Sequence, residues 1–455
     1  MNKRLPAPEN MKKNCANDST SKNSASVYPR WRWLFITACT FILLIGLRRV
    51  PNRDSPAPAT TAAGVSSAEG ATNTSAAGQA RWVSHRFDSA PAPTPEEIVA
   101  AKVSQFSRNR REIAQRIGQR LQKKVPVEVE AFFDANESGS WEDINARWKV
   151  LAKRSGQYTD SQNSEELNPF WMAVIDAYGV AEQAHDWPAQ KLLDYGNAVL
   201  GSLRPGMVYV GGTDNGRWIP ELLNDTNEGE QHVILTQNAL ADGRHVEWMR
   251  EVYGDRLATL SEEDSQRAFK EYTTDAQKRL EHDQQFPDEP KQLRPGEEVK
   301  LVDGRVQVSG QVAVMTINEK LLQMLMGKNP DLSFALQESF PLKGTYPDAL
   351  PLGPLMELRA QDGQNTFTAE RAAQSLDCWR DRAQQVFSDP EAVNPPSALK
   401  SHSHDAVSAA NLLAAHHFTG EAEQTYRLGM QLWPENPESV GGLADVLEDS
   451  SATVL

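Results

Sequence analysis

Cysteine is scarce in this chain of 455 residues. Cys15, Cys39 and Cys378 are the only three, spaced too widely for a disulfide framework or a thiolate metal pattern. The sequence also lacks His-Glu-x-x-His, Cys-x-x-Cys, Gly-x-Ser-x-Gly and the P-loop signature, so no catalytic class can be assigned from a short motif. His402, His404, His416 and His417 have no tight ligand spacing, and neither a metal nor a cofactor is expected. Positive charge is sparse over most of the length. Residues 125–455 carry 27 Lys/Arg against 53 Asp/Glu, a balance that repels phosphate and argues against nucleic acid as a partner. Residues 1–124 reverse it, with 20 Lys/Arg against 8 Asp/Glu.

Long apolar runs are missing too, with one exception. Trp33 to Leu47 carries no charge between Arg32 and Arg48, and Trp31 and Trp33 stand where interfacial aromatics would. The run is near the lower length limit for a span, so Arg32, Arg48 and Arg49 would have to snorkel. Residues 31–49 are read as an uncleaved transmembrane signal anchor, with a cleaved signal peptide as the rival reading. Residues 1–30 read as a disordered cytoplasmic tail. Basic residues lean towards an N-terminus inside the cell, which puts the C-terminal body in a periplasm-like space beyond an inner membrane. Residues 50–93 are rich in Ala, Ser, Thr, Pro and Gly and read as a flexible linker. Such a coil reaches roughly 35–40 Å root-mean-square.

Residues 94–204 read as helical. Thr94-Pro95-Glu96-Glu97 is a helix start with a capping box, and Val99, Val103, Phe106, Ile113, Ile117 and Leu121 recur at helical spacing. Arg108, Arg110, Arg111, Arg116, Arg120, Lys123 and Lys124 occupy its other faces, as a solvated surface or as a dock for anionic lipid or an acidic partner. Helices are expected over Val127–Ala135, Trp141–Lys153 and Pro169–Leu203, the last broken near Trp187-Pro188. From Pro205-Gly206 the period changes. Apolar runs at 207–210, 232–236, 332–336 and 355–358 read as strands, and Asp303-Gly304 as a hairpin turn. Residues 205–360 are therefore expected to be an α/β domain around a small mixed sheet. The fold class read from sequence is multi-domain α+β and α/β: a transmembrane helix, a helical segment, this α/β domain, and helical hairpins over 361–455.

Open α/β sheets bind ligands at the carboxyl ends of their strands. The candidate ligand-binding residues are accordingly Gly211, Gly212, Thr213, Asp214, Asn215 and Arg217 after the first strand, Gln237 and Asn238 after the second, and Glu338 after the third. Glycines permit close backbone approach, Asp214 can accept from hydroxyls, and Arg217 can pair with an anion. Asp-Asn-Gly is also ordinary turn chemistry.

Residues 406–437 resemble a tetratricopeptide repeat. With Pro434 as the closing proline, Ala410, Leu413, Ala422, Tyr426 and Gly429 fall at the repeat's small and large positions. Ala406 departs from the pattern, and the glycine between helices is displaced to Gly420. This resemblance implies a helical surface for protein partners. The block 206–359, with Gly211-Gly212-Thr213-Asp214-Asn215 and Leu350-Pro351-Leu352-Gly353-Pro354-Leu355, looks like the soluble C-terminal domain of bacterial protein O-mannosyltransferase-like membrane proteins. It implies an extracytoplasmic domain handling a glycan or glycoprotein, and carries no catalytic residue across. The expected function is a membrane-anchored extracytoplasmic binding or scaffold protein, held in lipid through residues 31–49. Its repeat-like helices would take a protein and its α/β domain a polar ligand, a glycan or small anion. The alternative is an enzyme of glycan or phosphate-ester chemistry centred on Asp214.

Overall fold

A computed structural model describes residues 92–155, 164–212, 215–302, 305–361, 366–389 and 396–452. The expected tail, the anchor and the linker up to residue 91 lie outside the described residues, as do Thr213 and Asp214.

Helix α1 (Pro95–Leu121) begins at the expected capping box: Thr94 Oγ1 accepts from the Glu97 amide, and the Glu97 carboxylate accepts from the Thr94 amide. It stops where Gln122 turns left-handed, at φ 53°. Helices α2 (Val127–Ser138) and α3 (Trp141–Ser155) follow, then α4 (Trp171–Asp186) and α5 (Ala189–Leu200), parted at Trp187-Pro188. Trp148 of α3 stacks between Trp171 and Tyr178 of α4, at centroid distances of 5.1 and 4.0 Å. Nearly all of α4 is buried, so it forms the axis of this helical half.

Strand β1 (Val208–Gly211), helix α6 (Asn215–Asp225), strand β2 (Val233–Thr236) and helix α7 (Gly243–Tyr253) come next. Helix α8 (Glu262–Gln285) leads to β3 (Glu298–Val302) and β4 (Arg305–Ser309), which pair antiparallel on either side of Asp303-Gly304. After α9 (Gln311–Lys328) come β5 (Phe334–Leu336), β6 (Leu350–Leu352) and β7 (Leu355–Leu358). The main sheet has the order β2-β1-β5-β7-β6, with β2, β1 and β5 parallel and β7 and β6 antiparallel to their neighbours. Helices α10 (Ala369–Ser388), α11 (Pro396–Ala415), α12 (Thr419–Leu432) and α13 (Pro437–Ala452) follow.

Strand alternation distributes the sheet's side chains between two cores. Tyr209, Ile234, Ala335 and Leu355 join the core built on α1 to α6. Val208, Val210, Val233, Leu235, Phe334 and Leu336 join the one containing residues of α8, α9, α11 and α12. Both faces are covered, which explains why β1, β2 and β5 are almost wholly apolar.

This arrangement corrects the fold class expected from sequence. The described chain is mostly helical, with thirteen α-helices around one small mixed sheet and a two-stranded hairpin. Strands of three to five residues form only a thin layer, and helices from both ends of the sequence cover it. No described helix is long and apolar enough to cross a membrane.

The C-terminal helices pack closely. Ala410, Leu413, Ala422 and Tyr426 are buried, and a β-carbon on Gly442 would run into the Tyr426 ring.

Candidate functional site

Because β2, β1 and β5 are parallel neighbours, Gly211-Gly212, Gln237-Asn238 and Gln337-Glu338-Ser339 emerge along one edge of the sheet. The ladder extends into this edge, with the Gln237 amide donating to the Gly211 carbonyl (3.0 Å) and the Gln337 amide to that of Val210 (2.9 Å). Strand order reverses between β1 and β5, which is where an open α/β sheet leaves a crevice.

Protein side chains fill that crevice. Gln337, which the sequence reading passed over, accepts from the Gly212 amide (3.2 Å) and the Tyr209 hydroxyl (3.2 Å). Its Nε2 donates to the Asp405 carboxylate of α11 (2.6 Å) and to the Tyr195 hydroxyl of α5 (2.5 Å). The glycines Gly212 and Gly216 make room for this group and for Ser339: a β-carbon on either would collide with one or both. Burial is the main cause that lifts the Asp405 carboxyl to about 6, with the Gln337 hydrogen bond opposing it.

On the next residue, Glu338 accepts from the Tyr346 hydroxyl (2.7 Å to Oε2), the Leu342 amide (3.2 Å) and the Asn411 carboxamide of α11 (3.3 Å). It too is buried, and desolvation raises its carboxyl to about 7 against those hydrogen bonds. Gln237 folds back on the β5 loop, accepting from the Ser339 amide (2.9 Å) and donating to the Phe340 carbonyl (2.6 Å). Asn215 donates to Ser401 of α11. Helix α11 thus lies across the strand ends through Ser401, Asp405 and Asn411. A sequence signal for it existed in Asp405, a carboxylate amid the small residues of a buried helix.

Arg217 is turned away from the crevice. It is buried and pairs with Asp176 of α4 and with Glu221 (3.1 Å). Arg110 of α1 joins the same cluster, reaching Asp225 (2.7 Å), Glu221 (2.8 Å) and Asp176 (3.3 Å). Burial disfavours the Arg110 charge, but the three carboxylates outweigh it and raise its pKa. Glu221 is raised by the same burial, with both arginines opposing. His245, at the third position of α7, is buried beside this cluster, and neither ring nitrogen has a hydrogen-bond partner among the described residues. Desolvation, then the Arg217 charge, hold it neutral with a pKa of about 3.

The strand-end residues are therefore brought together in part. Gly211, Gly212, Gln237, Asn238 and Glu338 line one buried edge, Asn215 is half-buried beside it, and Arg217 belongs to a separate ion cluster. Among the described residues, no group of three His, Cys, Asp or Glu side chains is placed to hold a metal ion. No family model, no curated protein and no solved structure matches the chain.

Proposed function

We propose that the chain is a membrane-anchored extracytoplasmic binding or scaffold protein, held in lipid through residues 31–49, whose C-terminal helices take a protein partner. Contrasting use of polar and apolar groups supports this reading. The described polar side chains at the strand ends are engaged with one another and with α11. The last helix, by contrast, turns Val440 and Leu447 outward, 49% and 43% exposed. Seven residues apart, they share one helix face, the spacing with which helical hairpins meet partners.

Cross-linking and pull-down of the full chain from detergent extracts, with and without the double substitution Val440→Glu and Leu447→Glu, tests it. Loss of the captured partners with folding retained is expected. An unchanged set of partners overturns the role of this helix.

A further inference from the structure

Seven basic residues lie between Arg108 and Lys124, five on α1 and two just beyond its end, and the structure divides them sharply. Arg110 is buried in its ion cluster. Arg111 pairs with Glu130, Asp134 and Glu137, and Arg120 with Glu251. Arg108 bonds to Ser104 and Gln105 on its own helix. Arg116, Lys123 and Lys124 remain exposed without an ion-pair partner among the described residues. No carboxylate occurs from residue 113 to residue 127.

Lys123 and Lys124 sit at the corner where α1 ends and α2 begins, with Arg116 exposed on the last turns of α1. A groove of about 530 Å³ lies there, lined among others by Gln115, Gln119, Gln122, Lys123 and Lys124. Its one carboxylate, Glu130, is already taken by Arg111 at 3.3 Å. Ammonium groups beside side-chain amides suit a phosphodiester: charge attraction from the lysines, directed donors from the amides. The same corner exposes Leu121 and Val127, and at 71% Val127 is the most exposed large apolar side chain described.

We infer that this corner docks on an anionic phospholipid bilayer, with lipid phosphates at the groove and Leu121 and Val127 entering the interface. An acidic polypeptide would answer the lysines but leave Val127 in water, whereas a bilayer answers both. The remainder of the body, with its excess of carboxylates, is repelled by such a surface, so the contact is confined to this corner. The inference deepens the anchored reading and rests on it for proximity. A 27-residue helix is about 40 Å long, comparable to the reach expected of the linker, so the far end of α1 can return to the membrane.

The experiment uses the full chain with vesicles of neutral phosphatidylcholine or with a phosphatidylglycerol fraction, read by flotation and by hydrogen exchange across residues 115–130. Each lysine near an anionic surface is worth about fivefold in partitioning. Slower exchange at this corner only in the anionic vesicles, lost in the Lys123→Glu, Lys124→Glu variant, is expected. Flotation with both lipids but equal exchange at the corner overturns the inference and leaves the anchor standing. Flotation with anionic vesicles alone, with the corner protected, supports the inference while removing the anchor. Flotation with neither removes both. Protection by soluble polyglutamate equal to that by anionic vesicles assigns the corner to an acidic protein and overturns the lipid assignment.

Discussion

The carboxamide of Gln337 occupies the space that a β-carbon on Gly216 would need. Gln337 cannot easily yield, because it is tied to Gly212, Tyr209, Tyr195 and Asp405 at once. Gly216→Ala should therefore destabilise the protein by about 1–3 kcal/mol, despite alanine's better helix propensity. Urea unfolding measures it. A neutral or stabilising result would show that the glycine serves something other than packing.

Arg217 was expected to face an anion and instead faces Asp176 and Glu221. Removing it strands two buried carboxylates beside a single remaining arginine, Arg110. Arg217→Met should cost about 3–5 kcal/mol, the range for breaking a buried ion pair from one side. A residue reserved for ligand would leave the unfolding midpoint almost untouched, so thermal or urea denaturation separates the two roles.

Much of the secondary structure was legible because its causes are local. The Thr94 capping box, the apolar strand runs and the Trp187-Pro188 break each declare themselves within a few residues. The convergence of three strand ends was legible as well, since parallel neighbours follow from strand–helix–strand order. What fills the crevice was not. Gln337 meets Asp405 across 68 residues and Arg217 meets Asp176 across 41, and no periodicity records such encounters. The fold class went astray for a related reason. Strands with apolar side chains on both faces announce a buried sheet but not how thin it is, nor that helices from both ends of the chain close over it.

His245 has two ring nitrogens buried without partners among the described residues, a cost of about 1–3 kcal/mol for the unmet hydrogen bonds. His245→Leu should raise stability at pH 7, less the penalty of any cavity left behind. The gain should grow in acid. The native ring stays neutral down to about 3, whereas an unfolded histidine takes a proton near 6.5, so its contribution to stability is lost as pH falls below that value. Urea titrations at pH 5 and pH 7 give the comparison, and a variant that gains nothing at pH 5 contradicts the account.

Glu338 works in the opposite direction. Burial raises its carboxyl to about 7 in the native state, while the unfolded carboxyl titrates near 4.5. Between those values the native chain holds a proton that the unfolded chain releases. The stability linked to this group is therefore complete below pH 4.5 and is lost as pH rises through 7. Burial imposes the same sign on Asp405, and His245 and His402 oppose it at the acid end, so the whole-protein profile mixes these effects. The Glu338→Gln variant isolates one of them. Its amide oxygen, in the place of Oε2, still accepts from the Tyr346 hydroxyl and the Leu342 amide, yet the group cannot ionise. Relative to the unsubstituted protein, its stability should climb by roughly 3 kcal/mol between pH 4.5 and pH 8.5. Parallel urea titrations at the two values measure that climb. A difference that does not change with pH would mean that Glu338 is ionised in the native state throughout, with Tyr346, Leu342 and Asn411 sufficient to hold the charge.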